Sequence, residues 1–600
     1  MAGLCRILAS SSCARMSPAV QKLADDYFNW RLANKPEFAS FVGIHDYDDQ
    51  LDDMSLEAYQ SRYDQCQVFF HQAEALEAIV TDHDDQVNIR ALKNELITYM
   101  DGFPYQGFLV PLSYMEGVHV DLECLISWMV FKTSDDYEKL LSRYEKLPEQ
   151  LKQIQMLMET GVTTGNVNHA ISMKSVVEGL ERFVVDVAED SPLWMPFTTF
   201  PDNFNREQIA DFKERANAII LDKISPGFQQ LRDYVKNDYV TRPDIAVTSL
   251  PDGEAQYNQL IKFHTSISMT PQEIHQLGLK EVTRIEGEMA KIVSELGYTL
   301  SVSEFSDMIK NNSRFYYNNS DELMKGFEDL AYIVIPPKLP EFFRNIPKAE
   351  LKIKCDPSPE GTIAYYTAGA YDGSRPGVFF VNTHNYQNQP TYGMMSLSLH
   401  EGNPGHHFQH SHIIESPNIP FFRRVLEDRK CCQAPSRFPM NTAYLEGWGL
   451  YVENLGFDMG LYEDLYVRYG HYSLEIFRAS RLVVDTGLHA LGWTRQEAVD
   501  YLINHTAMTT VKVENEVDRY ITMPGQALAY KVGQLKLMDL RYKAASVIGD
   551  EFDIKKFHDV VLDSVGPLDL VEDEVNAWVN AGGKKLDVVR VIQCIKLWSC

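Results

Sequence analysis

The chain has 600 residues, of which 45% are hydrophobic and 23% charged, an ordinary globular mixture that is long enough for more than one domain. Its 84 acidic residues outnumber the 56 basic ones, and the formal net charge is −28. Such a charge repels a nucleic-acid backbone unless basic residues cluster, and the sequence has no such cluster. We therefore expect no nucleic-acid partner. We also expect no membrane span, because no stretch of about 18 apolar residues is free of charges.

The first 16 residues combine two arginines and a run of serines with no acidic residue. This composition is weakly similar to mitochondrial targeting peptides, and it is too poor in apolar residues for a secretory signal. The nine cysteines are irregularly spaced and indicate no disulfide framework. We predict a cytoplasmic protein of a reducing compartment, with mitochondrial targeting by residues 1–16 as the alternative.

Helical periodicity dominates the chain. Apolar residues recur every three to four positions in segments that we predict to be amphipathic helices: 56–80, 137–160, 205–236 and 462–484. A further helix is predicted over 270–297, since Thr270 and Glu273 form a capping-box pattern and Gly297 is a typical C-terminal stop. Thr494 and Glu497 predict another helix start of the same kind. The lengths favour helices stacked around a large core.

Residues 240–256 interrupt the helical pattern with prolines and a glycine. This segment is either a domain boundary or a surface connection within one helical body. We divide the chain into an N-terminal helical region, 17–245, and a helical region that carries the candidate site, 246–600. We expect the two regions to form one continuous structural unit.

A second interruption, residues 362–383, has β-branched and aromatic runs on both sides of a loop that contains Asp372-Gly373 and Pro376-Gly377. Alternating runs around such a loop are typical of a hairpin or an edge strand. We predict a small β element here within the mainly α chain.

Residues 400–409, HEGNPGHHFQ, contain three histidines, the first followed by a glutamate. In the zinc-peptidase pattern H-E-x-x-H, two histidines four apart lie one helical turn apart and reach the same ion. Here residue 404, where the pattern has its second histidine, is a proline. On an unbroken helix His406 would lie about 240° around the axis from His400, and His407 about 10.5 Å along it. A regular helix therefore brings neither histidine to a shared ion.

The Pro404-Gly405 pair offers a solution, because proline interrupts helical hydrogen bonds and glycine adopts conformations closed to other residues. We predict a break at 404–405 that returns a later histidine to His400. The alternatives are a plain loop whose shape the core dictates, or a solvated polar helix end without a metal. His406 is the predicted second ligand, and His407 is the alternative.

The third ligand is predicted in residues 442–456, TAYLEGWGLYVENLG, where Glu446 and Glu453 share one face of an otherwise apolar helix. Buried glutamates are costly unless they are paired or bound to a metal. Glu446 as ligand, with Glu453 accepting a hydrogen bond from a liganding histidine, would explain both. The alternative is an ion pair with Arg478 or Arg481.

Three polar residues of the next segment have simple structural alternatives. Arg481 and Asp485 are four residues apart and could pair with each other. His489, taken by itself, is more typical of a core histidine than of a catalytic group.

Longer stretches carry a resemblance to a known family: HEGNPGHHFQ, YLEGWGLYVENLG, RLVVDTGLHALGWT and RYITMPGQALAYKVG. Together with YFNWRLANKPEFASFVGIHDYDDQLDDMS and TPQEIHQLGLKEVTRIEGEM, they resemble the domain-of-unknown-function family 885, whose mark is H-E-x-x-P-G-H-H-x-Q. The resemblance covers nearly the whole chain. That family is similar to the gluzincin peptidases, helical enzymes with a His-His-Glu zinc site. The resemblance implies a mainly α fold, a large multi-helix body with a small hairpin or sheet near the active site.

The resemblance also implies roles for single residues. His400 and His406 match the family's histidines, Glu401 its catalytic glutamate and Glu446 its downstream glutamate. The other candidates fall in the matching C-terminal motifs: Arg478, His489, Tyr520, Gln526 and Tyr530.

We predict a zinc-dependent hydrolase, a metallopeptidase that cleaves short peptides with one zinc ion per chain. Glu401 is the predicted base, which takes a proton from water and delivers it to the leaving amine. Candidate donors to the oxyanion are His489, Tyr520 and Tyr530. Candidate substrate-binding residues are Arg478, Lys531 and Gln526, and the cation of Arg478 or Lys531 would receive a substrate carboxylate.

Two alternatives stay open. The same zinc site could serve an amide hydrolase or an amide-forming enzyme that acts on a small metabolite. A protein of another class, a helical scaffold with a vestigial or structural metal site, would keep the helices without the chemistry. Analysis of bound metal together with a peptide-library digest separates the three.

Overall fold

The computed structural model describes residues 16–358, 363–384, 386–427 and 429–584. The fold is mainly α with one small three-stranded sheet, as the sequence predicts. The predicted targeting segment lies outside the described residues, apart from Met16. No described helix has both the length and the apolar composition that crossing a bilayer requires.

The helices fall into three groups along the chain. Before residue 245 they are α1 (Pro18–Asn34), α2 (Pro36–Val42), α3 (Leu56–Glu77), α4 (His83–Gly102), α5 (Val118–Trp128), α6 (Ser134–Thr164), α7 (Val176–Glu181), α8 (Arg206–Ile219) and α9 (Ser225–Asn237). Between residue 246 and the sheet they are α10 (Gly253–Thr265), α11 (Pro271–Glu295), α12 (Val302–Lys310), α13 (Ser320–Asp329) and α14 (Leu339–Phe342). After the sheet they are α15 (Met394–Glu401), α16 (His406–Glu415), α17 (Phe421–Arg424), α18 (Thr442–Asp458), α19 (Leu465–Ala490), α20 (Arg495–His505), α21 (Thr510–Thr522), α22 (Ala529–Ile548), α23 (Ile554–Asp563) and α24 (Leu568–Asn580).

The predicted amphipathic helices are present with small shifts at their ends: 56–80 corresponds to α3, 137–160 to α6 and 462–484 to α19. The predicted helix 205–236 is interrupted by a π-helical segment, Ile220–Ile224, that separates α8 from α9. Pro226 lies in the first turn of α9. Because proline has no N–H to donate back along the helix, the regular hydrogen-bond ladder cannot continue through this position.

Both predicted capping boxes are confirmed. The backbone N–H of Thr270 donates to Glu273 Oε2 at 2.8 Å, and the N–H of Glu273 donates to Thr270 Oγ1 at 3.2 Å. Thr494 and Glu497 make the same reciprocal pair ahead of α20. Each box satisfies N–H groups that the first helical turn leaves unpaired, which is why these starts are readable from sequence.

The sheet contains β1 (Lys352–Asp356), β2 (Ala364–Thr367) and β3 (Val378–Asn382) in the order β1-β3-β2. Strands β2 and β3 are antiparallel, so the hairpin predicted over 362–383 is confirmed for its described residues, 363–383. Strand β1 is parallel to β3 and was not predicted. A parallel partner needs no local turn, so the chain near β1 gives no hairpin signal.

The predicted non-helical segment 240–256 ends early, because α10 begins at Gly253. The division of the chain at residue 245 stays a prediction. Side chains from both regions share one hydrophobic cluster. In it the ring of Tyr27 lies 5.9 Å from that of Phe422, and Phe28 stacks on Phe421 at 5.7 Å.

The core that positions the candidate site is built on α18. This helix crosses α22 at very short range, since a Cβ on Gly447 would lie 2.5 Å from the Cα of Gly533. Helices α15 and α16 pack on other parts of α18, and α19 packs along α11. Helix α15 also contacts β2, and the hydroxyl of Tyr366 on β2 lies 3.2 Å from Nδ1 of His407, so the segment HEGNPGHHFQ is held between α18 and the small sheet.

Candidate metal centre and cavity

The chain breaks between α15 and α16, at the position predicted from Pro404 and Gly405. Helix α15 ends at Glu401, the next four residues are not helical, and α16 begins at His406. The indole Nε1 of Trp448 on α18 donates to the carbonyl oxygen of Pro404 at 2.9 Å. The break is thereby tied to the helix that carries the predicted third ligand.

Two glycines allow the backbone to fold closely around His400. A Cβ on Gly405 would lie 1.9 Å from the carbonyl oxygen of His400, and one on Gly449 would lie 2.6 Å from Cε1 of its ring. Neither position has room for a side chain. The break thus brings the start of α16 against the end of α15, and α18 against the imidazole.

His400, His406 and Glu446 converge on one point. Their candidate ligand atoms all lie within 4.8 Å of one another, and within the described residues they are the group of three side chains able to hold a metal. Oε2 of Glu446 lies 3.4 Å from Nε2 of His400 and 3.4 Å from Nε2 of His406. The two imidazole planes are nearly perpendicular, at 86°. The three predicted ligands are thus brought together from three helices.

This donor set fits a zinc ion. Tetrahedral zinc with bonds of 2.0–2.1 Å holds its donor atoms about 3.4 Å apart. Oε2 of Glu446 is buried and has no hydrogen-bond partner in the described part of the chain. A buried carboxylate oxygen without a partner is costly, and a cation at this point would satisfy it.

Glu453 has the supporting position predicted for it. Its Oε1 lies 2.7 Å from Nδ1 of His400, so the ring is held with Nε2 toward Glu446. Both glutamates pair with histidines, and neither makes a salt bridge with an arginine among the described residues. The alternative of ion pairs with Arg478 or Arg481 is therefore wrong.

The electrostatics of the triad favour positive charge. Burial lowers the pKa of His400, but its contacts with the carboxylates of Glu446 and Glu453 outweigh this effect and raise the pKa to about 10. Burial raises the pKa of Glu446, yet its 3.4 Å contacts with the two imidazoles hold it well below the ordinary value. The site stabilises a positive charge, whether it is carried by protons or by a cation.

Glu401 differs from Glu446 in its environment. Burial raises the pKa of its carboxyl above the ordinary value, although the positive charges of the two histidines and of Arg478 oppose the shift. A carboxyl whose pKa moves toward neutrality is better suited to exchange protons than to hold a cation.

His407 points away from the triad. Its Nε2 lies 3.0 Å from the carbonyl oxygen of Ala349, and its Nδ1 lies 3.2 Å from the hydroxyl of Tyr366. Both ring nitrogens are therefore engaged elsewhere. The structure selects His406, and not His407, as the histidine next to His400.

The triad lies at the wall of a cavity of about 1580 Å³. Most of the predicted site residues line this cavity: His400, Glu401, His406, Glu446, Arg478, Gln526 and Tyr530. Strand β2 lines it as well, which confirms the expectation of a small sheet near the site.

Three predicted site residues are not among the lining residues of the cavity, and Lys531 is one of them. Its side chain is fully buried, with Nζ 2.6 Å from Glu475 Oε1 and 3.1 Å from Glu281 Oε2. An ammonium held by two buried carboxylates is not available to a substrate. The predicted substrate-binding role of Lys531 is wrong.

His489 and Tyr520 are the other two. Nε2 of His489 lies 2.9 Å from the carbonyl oxygen of Tyr520, and its Nδ1 accepts the N–H of Val247 at 3.2 Å. Both residues are buried in the core. His489 is a core histidine, because backbone groups use both of its nitrogens, and neither residue is placed to contact a reacting group.

The pairing of Arg481 with Asp485 is also wrong, since the two form no salt bridge in the part of the chain that the structure describes. Asp485 accepts the hydroxyl of Tyr257 at 2.6 Å and the N–H of Gly525 at 3.1 Å. Arg481 donates to Gln526 at 3.4 Å.

Two cavity residues escaped the sequence analysis. Tyr366 lies on β2, within the predicted hairpin, and Arg519 directly precedes Tyr520 in the motif RYITMPGQALAYKVG. The hairpin pattern indicates a strand but not which of its faces meets the cavity. The charge of Arg519 on an amphipathic helix is equally typical of a solvated face.

The fold and the site define a class of protein, a mainly helical chain with a two-histidine, one-glutamate candidate metal centre at the wall of a large cavity. The chain belongs to the family described as "Bacterial protein of unknown function (DUF885)", whose family model matches residues 36–575. The family membership inferred from the sequence motifs is therefore confirmed. No curated protein matches the chain.

Two solved structures resemble the chain over almost its full length. A "putative lipoprotein" from Colwellia psychrerythraea is 26% identical with a TM-score of 0.84, and the match covers 94% of this chain and 100% of that one. A "putative lipoprotein of unknown function" from Shewanella oneidensis is 16% identical with a TM-score of 0.64, covering 93% and 99%. At the lower identity the likeness shows the fold alone.

Proposed function

We propose that the protein is a zinc-dependent metallopeptidase of the gluzincin type that cleaves short peptides. The observation that carries the proposal is the convergence of His400, His406 and Glu446 at the wall of a cavity that Glu401 also lines. Three protein ligands of this kind leave a fourth zinc position open, as catalytic sites require.

A bound zinc ion would lower the pKa of a water molecule toward 7 and polarise the carbonyl group of the substrate. Glu401 would accept the proton of that water and deliver it to the leaving amine. Burial supports this role, since it raises the pKa of Glu401 above the ordinary value. Glu453 would keep the His400 ring in place through the 2.7 Å contact with Nδ1.

The oxyanion that forms during hydrolysis needs hydrogen-bond donors besides the metal. We assign this role to Tyr530, which lines the cavity, because the hydroxyl of Tyr366 is engaged by Nδ1 of His407. His489 and Tyr520 are no longer candidates, because they are buried in the core.

Two observations favour a peptide over a small metabolite. The cavity, about 1580 Å³, is larger than the roughly 300–1,000 Å³ typical of small-molecule pockets. Strand β2 is an outer strand of the sheet, and Tyr366 and Thr367 of this strand line the cavity. Outer strands are surfaces on which extended peptides are recognised.

The decisive experiment combines metal analysis with a peptide-library digest. We expect about one zinc ion per chain in purified protein, and a loss of zinc in the His400→Ala, His406→Ala and Glu446→Ala variants. Glu453→Ala should lower zinc affinity more mildly, through the orientation of His400. His407→Ala is the matched control and should keep its zinc, because that ring faces Ala349 and Tyr366.

The possible outcomes separate the alternatives. Active protein without a transition metal contradicts the proposal. Zinc-loaded protein that cleaves no peptide but hydrolyses small amides identifies the metabolite enzyme. Protein that cleaves neither peptides nor small amides identifies the helical scaffold, whose metal site is vestigial if no metal is bound and structural if one is.

The cytoplasmic location stays part of the proposal. The words "putative lipoprotein" describe the similar proteins from Colwellia psychrerythraea and Shewanella oneidensis. Fractionation of cells that express the full chain tests the location directly, and recovery with membranes would contradict it.

A further inference from the structure

One wall of the cavity carries a cluster of three arginines, Arg478 and Arg481 on α19 and Arg519 on α21. Arg478 and Arg519 line the cavity, and Arg481 is fully buried. The guanidinium carbons of Arg478 and Arg481 lie 4.8 Å and 4.1 Å from the centre of the Tyr530 ring. Oε1 of Gln526 accepts hydrogen bonds from Arg481 at 3.4 Å and Arg519 at 3.3 Å. The three cations therefore form one group around Tyr530 and Gln526.

The hydrogen-bonding capacity of this arginine cluster is largely unused. Nε of Arg478, Nε of Arg519, and both Nε and Nη1 of Arg481 are buried without a hydrogen-bond partner among the described residues. Guanidinium groups only donate, so each of these buried N–H groups calls for an acceptor. The five N–H donors of a guanidinium group lie in one plane, so two of them can bind the two oxygens of a carboxylate at the same time.

The charge of the cluster is also incompletely balanced. Within the described residues, the one salt bridge that any of the three arginines makes joins Arg519 Nη1 to Glu516 Oε1, at 3.9 Å. That distance is too long for a hydrogen bond. Three guanidinium groups thus share one contacting carboxylate, and an added anion would be attracted to this wall of the cavity.

We propose that the arginine cluster is the subsite for the free C-terminal carboxylate of a short peptide substrate. This inference rests on the proposed peptidase function and narrows its substrates. Arg478 and Arg519, which line the cavity, would contact the carboxylate. Arg481 and Gln526 are positioning residues, since they hold the ring of Tyr530 and the guanidinium of Arg519.

The location of the cluster determines which bond is cleaved. Arg478 and Glu401 line the same cavity, as do the three candidate ligands His400, His406 and Glu446. A peptide held here by its terminal carboxylate presents a bond near its C-terminus to Glu401. The enzyme would therefore release C-terminal residues from short peptides and would not cut within long chains.

The test measures binding without turnover. In the Glu401→Gln protein, calorimetry compares trialanine with trialaninamide, which differ only in the terminal carboxylate. We expect trialanine to bind about 10- to 100-fold more tightly, the range for hydrogen bonds to a charged group. Acetyl-Ala-Asp-Ala-amide, whose carboxylate is on a side chain, should bind no better than trialaninamide.

Variants of the arginines then show which residues cause the preference for the free carboxylate. In the Glu401→Gln protein, a second substitution, Arg478→Gln or Arg519→Gln, should remove most of the preference for trialanine over trialaninamide. Arg519→Lys should keep part of this preference, because lysine has the positive charge but not the planar set of donors. Arg495→Gln is the matched control: it removes a cation near α21 whose Nε pairs with Asp518 at 2.7 Å and which is not a lining residue. It should leave the preference unchanged.

Equal binding of trialanine and trialaninamide by the Glu401→Gln protein would overturn the inference, whatever the variants do. Preferential binding of the aspartate peptide would overturn it in favour of a side-chain anion. These results are independent of the peptidase proposal. If the protein binds no zinc but still prefers trialanine to trialaninamide, the peptidase proposal is contradicted and the carboxylate subsite is supported. If the protein binds zinc and cleaves peptides but shows no such preference, the peptidase proposal is supported and the carboxylate subsite is contradicted.

Discussion

The acidic residues around His400 have different environments, and the difference fits the separate tasks proposed for them. Glu446 and Glu453 each contact an imidazole nitrogen. Glu401, next to His400 in sequence, makes no such contact among the described residues, and burial raises its pKa. In the proposed mechanism, two adjacent positions in the chain, 400 and 401, therefore have separate tasks, metal binding and proton transfer.

This separation gives a prediction for Glu401→Gln. The amide keeps the size of the side chain but cannot accept a proton, so we expect zinc to remain bound. Turnover should fall by roughly 10²- to 10⁴-fold, the usual contribution of a general base. Steady-state kinetics alongside zinc content measures both, and unchanged turnover would show that another group takes the proton from water.

At the scale of elements, the junction between α15 and α16 decides whether the triad can form. Without the break His406 would lie on the far side of a continuous helix from His400. The observed path also brings Gly405 so close to the His400 carbonyl that a Cβ would lie 1.9 Å from its oxygen.

We therefore predict weaker zinc binding for the double variant Pro404→Ala, Gly405→Ala, in which no ligand is changed. The helix becomes intrinsically more favourable by roughly 4 kcal/mol, about 3 from proline and about 1 from glycine. The added methyl group also collides with the His400 carbonyl. Competition with a chelator measures the affinity.

Gly287→Ala is the control for that variant. It lies within α11, where a Cβ meets nothing within 4 Å, so zinc affinity should stay unchanged and stability should rise slightly. Zinc affinity equal to wild type in the double variant would mean that the surrounding core, and not the local sequence, shapes the break.

Helix α19 carries a buried acid with its own pH dependence. Burial raises the pKa of Asp485 to about 7, although hydrogen bonds from Tyr257 and the Gly525 N–H oppose the shift. In the unfolded chain the group has its ordinary pKa of 3.8. Between these values the folded state binds more protons than the unfolded one, so stability falls as pH rises.

We predict that Asp485→Asn reduces this fall. Wild type should lose more unfolding free energy between pH 5 and pH 8 than the variant, because asparagine does not ionise. Denaturant unfolding at the two pH values measures the difference, and the contributions of the other acidic residues cancel between the two proteins. If wild type and variant lose the same unfolding free energy, the pKa of Asp485 lies outside the range from pH 5 to pH 8.

For the whole molecule, the candidate metal centre draws its three ligands from separate helices, α15, α16 and α18. An ion that binds only the folded chain stabilises it by mass action, by about 4 kcal/mol when free zinc is 1,000 times its dissociation constant. The chelated protein should therefore unfold at a lower temperature than the zinc-loaded protein.

Calorimetry with and without a chelator tests this prediction, and Glu446→Ala is the control. The variant should show no change on chelation, since it has lost the ligand that lies near both histidines. The same fall in both proteins would mean that the chelator removes a metal from another place.

Much of the architecture follows from the sequence by itself, because its determinants are local. The Thr270–Glu273 pair satisfies the N–H groups of its own helix, so α11 can be located without knowledge of its neighbours. The β2–β3 hairpin joins adjacent segments. The candidate ligands His400 and His406 lie six residues apart, around a proline and a glycine whose effect on the backbone is local.

Only the tertiary structure decided the partners of the remaining candidates. Lys531 is a cation in a matching motif, but Glu281 and Glu475, distant in sequence, neutralise it. The two ring nitrogens of His489 make hydrogen bonds with backbone groups of Val247 and Tyr520. Burial and pairing depend on which helices pack together, and no short stretch of sequence contains that information. For the same physical reason, the arginine cluster, drawn from α19 and α21, became visible only when both helices were in place.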